Sequence, residues 1–314
     1  MAGIGIVNNP LARRNRRHPE TGAKLRQLVG AGGEVLDAST LEQLAEALAR
    51  FRAQGIDTLG VNGGDGTAHV VLSAAVDVWR GSPLPPVLLL RGGAMNTVAR
   101  GQGISGTPEG ILGRLLERRR SGKPPRAVTR DLLRVEADGL PTRHGFIFGT
   151  GTAVTFLEMY YGTGRASPAR AFGLFTRAVA SAVARGRFAR RLIDREWLRV
   201  SADGEEWPED RFVTVIAGTT PEIGFGFAPF TRCEEQPGFF HAVGVVGSLR
   251  QIVWSLPGVY RGRAWRRRVA VDTVARELEL DGRLPVRFTI DGDLYESASR
   301  VVLTTGPSVE LVIP

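Results

Sequence analysis

The stretch Thr58-Leu59-Gly60-Val61-Asn62-Gly63-Gly64-Asp65-Gly66-Thr67-Ala68 decides the reading of the fold. A short apolar run, Thr58–Val61, reads as a buried strand, and Ala68–Trp79 reads as a helix. The glycines between them expose backbone N–H groups and let an anion approach the main chain. The following helix adds its positive N-terminal dipole. The loop lacks the lysine of a GxxxxGK[ST] phosphate loop, and that pattern occurs nowhere in the chain. An aspartate inside it opposes a bare phosphate, but suits a site that also handles a cation or a proton. The local alternative is a tight turn with Asp65 as helix N-cap.

Working outward, the same rhythm repeats. Gly3–Val7, Glu34–Leu36 and Val87–Leu90 read as strands, and Ala23–Val29, Leu41–Arg52 and Glu109–Arg119 as helices. Ser39 or Thr40 is placed to cap the second of these. A second strand–loop–helix, Leu90 to Arg100, carries Gly92, Gly93 and Asn96, with a short helix from Thr97. A third polar turn, Asn8-Asn9-Pro10, ends the first strand and leads into Arg13, Arg14, Arg16 and Arg17. Alternation of strand and helix predicts an α/β domain with a parallel sheet covered on both faces. All three loops then lie at the carboxyl edge of the sheet, where such folds bind ligands.

Arg118–Pro125 is basic and rich in breakers, and reads as a linker. Beyond it the pattern becomes short, alternating strands: Leu132–Glu136, His144–Phe148, Trp197–Ser201, Arg211–Ile216, Phe239–Val246, Val269–Val271, Arg276–Leu280, Val286–Ile290, Val301–Leu303 and Val309–Ile313. These predict an antiparallel β-sandwich, interrupted by one helical stretch at about Pro168–Ile193. The expected domains are therefore 1–125 and 126–314, with the final segment able to pack back towards the first.

Composition excludes several classes. One cysteine, Cys233, rules out an intramolecular disulfide framework, and four scattered histidines make a zinc cluster improbable. No apolar run reaches the roughly 18 residues of a membrane span, and no signal peptide opens the chain, so a cytoplasmic location is expected. Lys and Arg exceed Asp and Glu by 41 to 32, a formal charge of +9. That balance favours anionic partners. The arginine-rich, aromatic-bearing stretches Ala169–Val200 and Pro257–Ala270 suit an anionic membrane face as well as they suit a solvated helix surface. No nucleic-acid-reading motif is present.

The residues Gly63–Thr67 (GGDGT), Asn9-Pro10, the downstream loop Gly92–Arg100 and the late Ile290-Asp291-Gly292-Asp293 together resemble the diacylglycerol kinase catalytic family, which includes sphingosine kinases and soluble bacterial lipid kinases. The resemblance implies a nucleotide-binding α/β domain followed by a β-sandwich. It implies an ATP-dependent kinase using Mg²⁺ and acting on a hydroxyl of diacylglycerol, a sphingoid base or a related lipid, peripheral to the membrane, with a homodimer as an open option. It further implies that Gly63, Gly64, Asp65, Gly66 and Thr67 hold the nucleotide phosphates. Asn9, Pro10, Gly93 and Asn96 would shape the neighbouring loops, and Ser39 or Thr40 would contact the nucleotide. Asp291 and Asp293 would sit across the cleft. One is the general base; the other, with Asp65, steers Mg²⁺. Asp293, at the place of the family's usual Glu, is the first choice for the base. Asp131 is a weaker acidic candidate.

Three departures stand out. Ala94 and Thr97 replace the family's Thr and second acid. Asp293 is one methylene shorter than Glu. Pro237 occupies the place of a metal-binding Asp, so an accessory Mg²⁺ site is expected to be missing. Asp-Gly between apolar runs also reads simply as a hairpin turn. An NAD kinase, which shares GGDGT, and a non-catalytic lipid or nucleotide sensor are the competing readings.

Overall fold

Ile4–Asn8 (β1), Gly33–Asp37 (β2), Thr58–Asn62 (β3) and Val87–Leu89 (β4) form parallel strands. β1, β3 and β4 are buried at every position. That is the pattern of strands covered on both faces, and it explains why their sequences are continuous apolar runs rather than alternations. The computed structural model describes residues 3–162, 168–183, 186, 188, 193–224 and 226–314. The chain divides into two units, Met1–Arg130 with Pro307–Pro314, and Asp131–Gly306.

The first unit intersperses six helices: α1 (Arg13–Arg17), α2 (Thr21–Val29), α3 (Leu41–Gln54), α4 (Asp65–Val78), α5 (Thr97–Gly101) and α6 (Pro108–Arg120). Thr40 caps α3 by accepting from the Gln43 N–H, and Gly55 ends it at φ 63°. Thr107 caps α6, with Pro108 in its first turn. β1 lies between β2 and β3, and β4 adds beyond β3. The chain thus runs one way from β1 to β2 and then crosses back to β3, so the strand order reverses between β1 and β3. Right-handed crossovers put α2 and α3 on opposite faces. α2 packs with α6 and α3 with α4. Of the expected linker Arg118–Pro125, Arg118–Arg120 close α6, where Arg119 pairs with Asp57 at 2.7 Å and reaches the Thr58 hydroxyl at 2.6 Å, and residues 121–125 are irregular.

The second unit follows from β5 (Arg126–Ala137), whose start still belongs to the first unit. Its elements are β6 (Arg143–Gly145), β7 (Ile147–Thr150), α7 (Thr152–Tyr161), α8 (Pro168–Val183), β8 (Glu196–Ala202), β9 (Glu205–Glu206), β10 (Arg211–Phe212), β11 (Thr214–Gly218), β12 (Phe240–Val245), α9 (Leu249–Tyr260), β13 (Ala270–Ala275), β14 (Glu277–Gly282), β15 (Val286–Ile290), β16 (Asp293–Ser297) and β17 (Arg300–Ile313). Six strands form an antiparallel sheet in the order β13-β12-β11-β7-β15-β16. A second antiparallel set, with β14 between β8 and the first half of β17, packs against it. Phe148, Phe240 and Phe288 from one set bury against Val200, Leu280 and Leu303 from the other. The expected sandwich is present.

Several elements differ from expectation. The strand expected over His144–Phe148 breaks at Phe146, and that over Arg211–Ile216 breaks at Val213. The two closing strands are one, Arg300–Ile313. α7, α9 and β16 were not expected. In α9 the Gln251 side chain accepts from the Ser248 N–H, a capping signal masked in the sequence by Pro257 inside the helix. Of the helix expected over Pro168–Ile193, Pro168–Val183 is helical and most of the remainder lies outside the described residues. Among the described residues no helix is long and apolar enough to cross a membrane.

Candidate active site

β1 and β3 end in asparagines, Asn8 and Asn62, that are almost wholly buried. A buried amide seeks partners, and one bond joins these two, while Asn8 Nδ2 donates to Asp37 and Asn62 Oδ1 has no partner among the described residues. Asn62 Nδ2 donates to Asn8 Oδ1 at 2.6 Å. Asn15, projecting from α1, donates to the Asn9 carbonyl at 2.7 Å and to the Asn62 carbonyl at 3.1 Å. Asn9 continues the lacing. Its Oδ1 accepts from the Leu11 N–H at 2.9 Å, closing a turn around Pro10, and its Nδ2 donates to the Thr67 hydroxyl at 2.9 Å. The turn after β1 is thereby fixed to the loop after β3, at the point where strand order reverses. Asn8, Asn15 and Asn62 escaped the sequence reading. Asn8 and Asn62 carried a signal, an amide closing a buried strand, whereas Asn15, inside α1, carried none.

The loops after β3 and β4 approach each other through their backbones. A Cβ on Gly93 would lie 2.2 Å from Gly64 Cα, and one on Gly63 would lie within 2.5 Å of the Thr67 side chain. Only glycine permits this contact. Asn96, at φ 50°, curls its loop by accepting from the Gly93 N–H at 3.1 Å and donating to the Gly93 carbonyl at 3.2 Å. α4 starts at Asp65, three residues before the expected start, with Gly64 as an N-cap that offers no side chain. The amides of Gly66 and Thr67 therefore lack intrahelical carbonyls and face outward at the positive end of the helix.

Asp65 is the first residue of α4 rather than its N-cap, and its carboxylate serves the next helix. Oδ1 accepts from the Val98 N–H at 3.3 Å. Burial pushes the Asp65 carboxyl above its ordinary value, while the N–H groups of Thr97 and Val98 and the Thr97 hydroxyl pull it back. Thr97, where the family places an acid, is thus a donor to Asp65; a second carboxylate there would repel it. Thr40 is committed as the cap of α3 and is exposed, with Ser39 N–H donating to Gln43 at 2.8 Å. The first unit therefore brings together Asn9, Pro10, Gly63, Gly64, Asp65, Gly66, Thr67, Gly93 and Asn96, and uses Ser39 and Thr40 at the head of α3.

In the second unit, Asp291 and Gly292 form the two-residue loop between β15 and β16, where Ile290 pairs with Asp293. Both loop residues have positive φ, 48° and 96°, as a type I′ hairpin requires. The hairpin reading of Asp-Gly is thus met. Asp291 is also 7% exposed. Its carboxylate accepts from Phe146 N–H at 3.0 Å and Ile147 N–H at 2.9 Å. It thereby satisfies the amides left open where the strand breaks between β6 and β7. Asp291→Ala would strand those donors and place alanine at a left-handed φ. A loss of about 2–4 kcal/mol is expected in urea unfolding, with Asp291→Asn losing less. Equal stability of Asp291→Ala and wild type would contradict this role.

Asp293, next along, is half-buried, and Tyr161 Oη donates to the Gly292 carbonyl at 3.2 Å. Burial raises the Tyr295 phenol, and the charges of Asp293 and Asp291 raise it further against the pull of Arg143, whose guanidinium lies 5.5 Å from the ring centre. Asp131 accepts from the Gly238 N–H at 3.0 Å, and Thr305 Oγ1 donates to the Gly238 carbonyl at 2.9 Å, so Asp131 latches the 235–239 loop. Among the described residues no group of three or more His, Cys, Asp or Glu side chains gathers to hold a metal.

The profile of the family described as "Diacylglycerol kinase catalytic domain" matches residues 4–123. No curated protein matches the chain. Among solved structures, a crystal structure of a diacylglycerol kinase from Bacillus anthracis str. Sterne is similar at TM-score 0.63 and 15% identity, covering 100% of this chain and 97% of that one. Yeast NADH kinase complexed with NADH is similar at TM-score 0.50 and 11% identity, covering 100% and 84%. At these identities the likeness to solved structures is one of fold. The family profile spans all three of the loops just described, within residues 4–123.

Proposed function

We propose that the chain is an ATP-dependent lipid kinase, moving the γ-phosphoryl group to a hydroxyl of diacylglycerol or a related lipid alcohol. The observation that carries this reading is the contact of the two glycine loops, Gly64 against Gly93, at the strand-order reversal and the open N-terminus of α4. That arrangement suits a polyphosphate. Phosphoryl transfer asks the protein chiefly for charge neutralisation and positioning. On this reading the backbone amides of Gly66 and Thr67 bind phosphate oxygens, and Asn9 and Asn96 keep their loops in place. Asp291 sets the hairpin that presents Asp293. Asp293 receives the proton of the attacking hydroxyl as the new O–P bond forms and the bond to the β-phosphate oxygen breaks, releasing ADP. Mg²⁺ would enter with the nucleotide as Mg·ATP, with Asp65 and Asp291 the carboxylates placed to steer it.

The test is radiolabelled ATP with Mg²⁺ against diacylglycerol, a sphingoid base, a monoacylglycerol and NAD. Label in a lipid is the expected result. Label in NAD alone would replace this reading with the NAD kinase one, and nucleotide binding without transfer to any acceptor would leave a sensor.

The acceptor's location bears on the second unit. α9 leaves Trp254 74% exposed and Tyr260 57% exposed, and the segment that follows exposes Arg261, Arg263, Arg266, Arg267 and Arg268. We propose that this aromatic and cationic face meets an anionic bilayer, with Trp254 in the interface. The other basic stretch, Ala169–Val200, lies in part outside the described residues. Vesicles containing phosphatidylglycerol are expected to bind the protein at low salt and release it as salt rises, with Trp254→Ala binding more weakly. Equal binding to neutral vesicles would speak against it.

A further inference from the structure

Arg14 and Arg91 stand on the same side of the glycine loops, held there by a backbone bond from α1 to the residue after Arg91. Arg14 belongs to α1, and its N–H donates to the Gly92 carbonyl at 3.0 Å, which ties it to the residue after Arg91. Arg91 stands at φ 57°, a conformation side-chain-bearing residues rarely hold. It is the residue through which β4 enters the Gly92–Asn96 loop. Both side chains are half-buried, and the Nε of each is buried with no hydrogen-bond partner among the described residues. A guanidinium N–H left unpaired away from water costs free energy. Burial lowers the Arg91 pKa, and the charges of Arg100 and then Arg14 lower it further, with only Asp65 opposing. Glu109 is the other acid that feels Arg14. Arg14 and Arg91 thus share one rim of the loops, joined through the bond from the Arg14 N–H to the Gly92 carbonyl, while Asp65 is engaged with Val98. An anion of high charge relieves this crowding, and guanidinium forks match phosphate oxygens in pairs.

We infer that Arg14 and Arg91 form a clamp for the polyphosphate chain of the nucleotide, set on the Gly92 side of the loops. The inference rests on the kinase reading for its ligand, but its test needs neither a lipid nor transfer. The probe is sodium tripolyphosphate, titrated calorimetrically at matched ionic strength into wild type, Arg14→Gln, Arg91→Gln and Arg80→Gln. Wild type is expected to bind. Arg14→Gln and Arg91→Gln are each expected to bind about tenfold or more weakly, and Arg80→Gln within a factor of about two of wild type, since Arg80 is exposed beyond the far end of α4. The melting temperature of unliganded Arg91→Gln is expected at or above that of wild type, because like charges have been thinned; a residue that merely braced the loop would lower it.

Wild-type protein that ignores tripolyphosphate, Arg14→Gln and Arg91→Gln that bind it normally, or Arg80→Gln that loses as much as they do would each overturn the clamp. Should Arg91→Gln not fold, Arg14→Gln decides. If tripolyphosphate binds as expected while no lipid or NAD is phosphorylated, the clamp stands and the kinase reading falls. If a lipid is phosphorylated while tripolyphosphate binding is indifferent to both substitutions, the reverse holds.

Discussion

Asp293→Asn is expected to lower kcat by about 10²- to 10⁴-fold while leaving the KM for ATP within roughly threefold of wild type. The substitution keeps size and hydrogen-bonding capacity but removes the basic oxygen that takes the hydroxyl proton. Asp291 is the informative neighbour. Its oxygens are committed to Phe146 and Ile147, so its loss acts on stability first. The two aspartates, one residue apart, therefore separate in the assays. Asp291 variants lower the urea midpoint, and Asp293→Asn leaves it nearly unchanged while slowing turnover. Steady-state rates on the lipid identified in the acceptor panel, together with urea unfolding of the same preparations, measure both. An Asp293→Asn enzyme within threefold of wild-type kcat would remove Asp293 from the chemistry.

Gly93→Ala is expected to weaken nucleotide binding by about 100-fold or more. A methyl group there meets Gly64 Cα at 2.2 Å and Gly64 N at 2.9 Å, and these are backbone atoms that cannot rotate aside. The two loops must separate, and a shift of that order in a positioning element is costly. The folding cost is smaller, about 1–3 kcal/mol, the usual range for overpacking. Gly113→Ala on α6 is the control, since nothing lies within 4 Å of its added carbon. It is expected to raise stability by about 0.5–1 kcal/mol through helix propensity and to leave nucleotide binding alone. Nucleotide titration and thermal melting of both variants check the contrast. Normal nucleotide affinity in Gly93→Ala would show that loop contact is not what holds the phosphates.

Much of the first unit was legible in the sequence because its strands are buried on both faces. Continuous apolar runs bounded by glycine and asparagine leave little ambiguity, and Thr40 and Gly55 mark the ends of α3 by local chemistry alone. The second unit was legible in kind but not in detail. Strand breaks at Phe146 and Val213 are set by partners far along the chain, such as Asp291 bonding across 145 residues to Phe146. No local pattern reports that. β16 alternates too weakly to stand out, with charged residues at Asp293 and Glu296. The site was half legible. Glycine spacing pointed to the loops, whereas the service of Asp65 to α5 and the pairing of Asn8 with Asn62 depend on which loops become neighbours in space.

β17 begins in the second unit and finishes in the first, where Leu311 lies opposite Val87 on β4. The parallel sheet of the first unit is therefore discontinuous in the chain. A nascent chain that has emerged as far as Arg130 still carries β4 as a bare edge, open to adventitious strand pairing until some 180 further residues have been made. Early-exposed β4 makes the interval of synthesis itself the vulnerable period. Fragments ending near residue 130 are expected to aggregate more readily than the full chain, and a supplied peptide spanning Pro307–Pro314 is the natural remedy for that open edge.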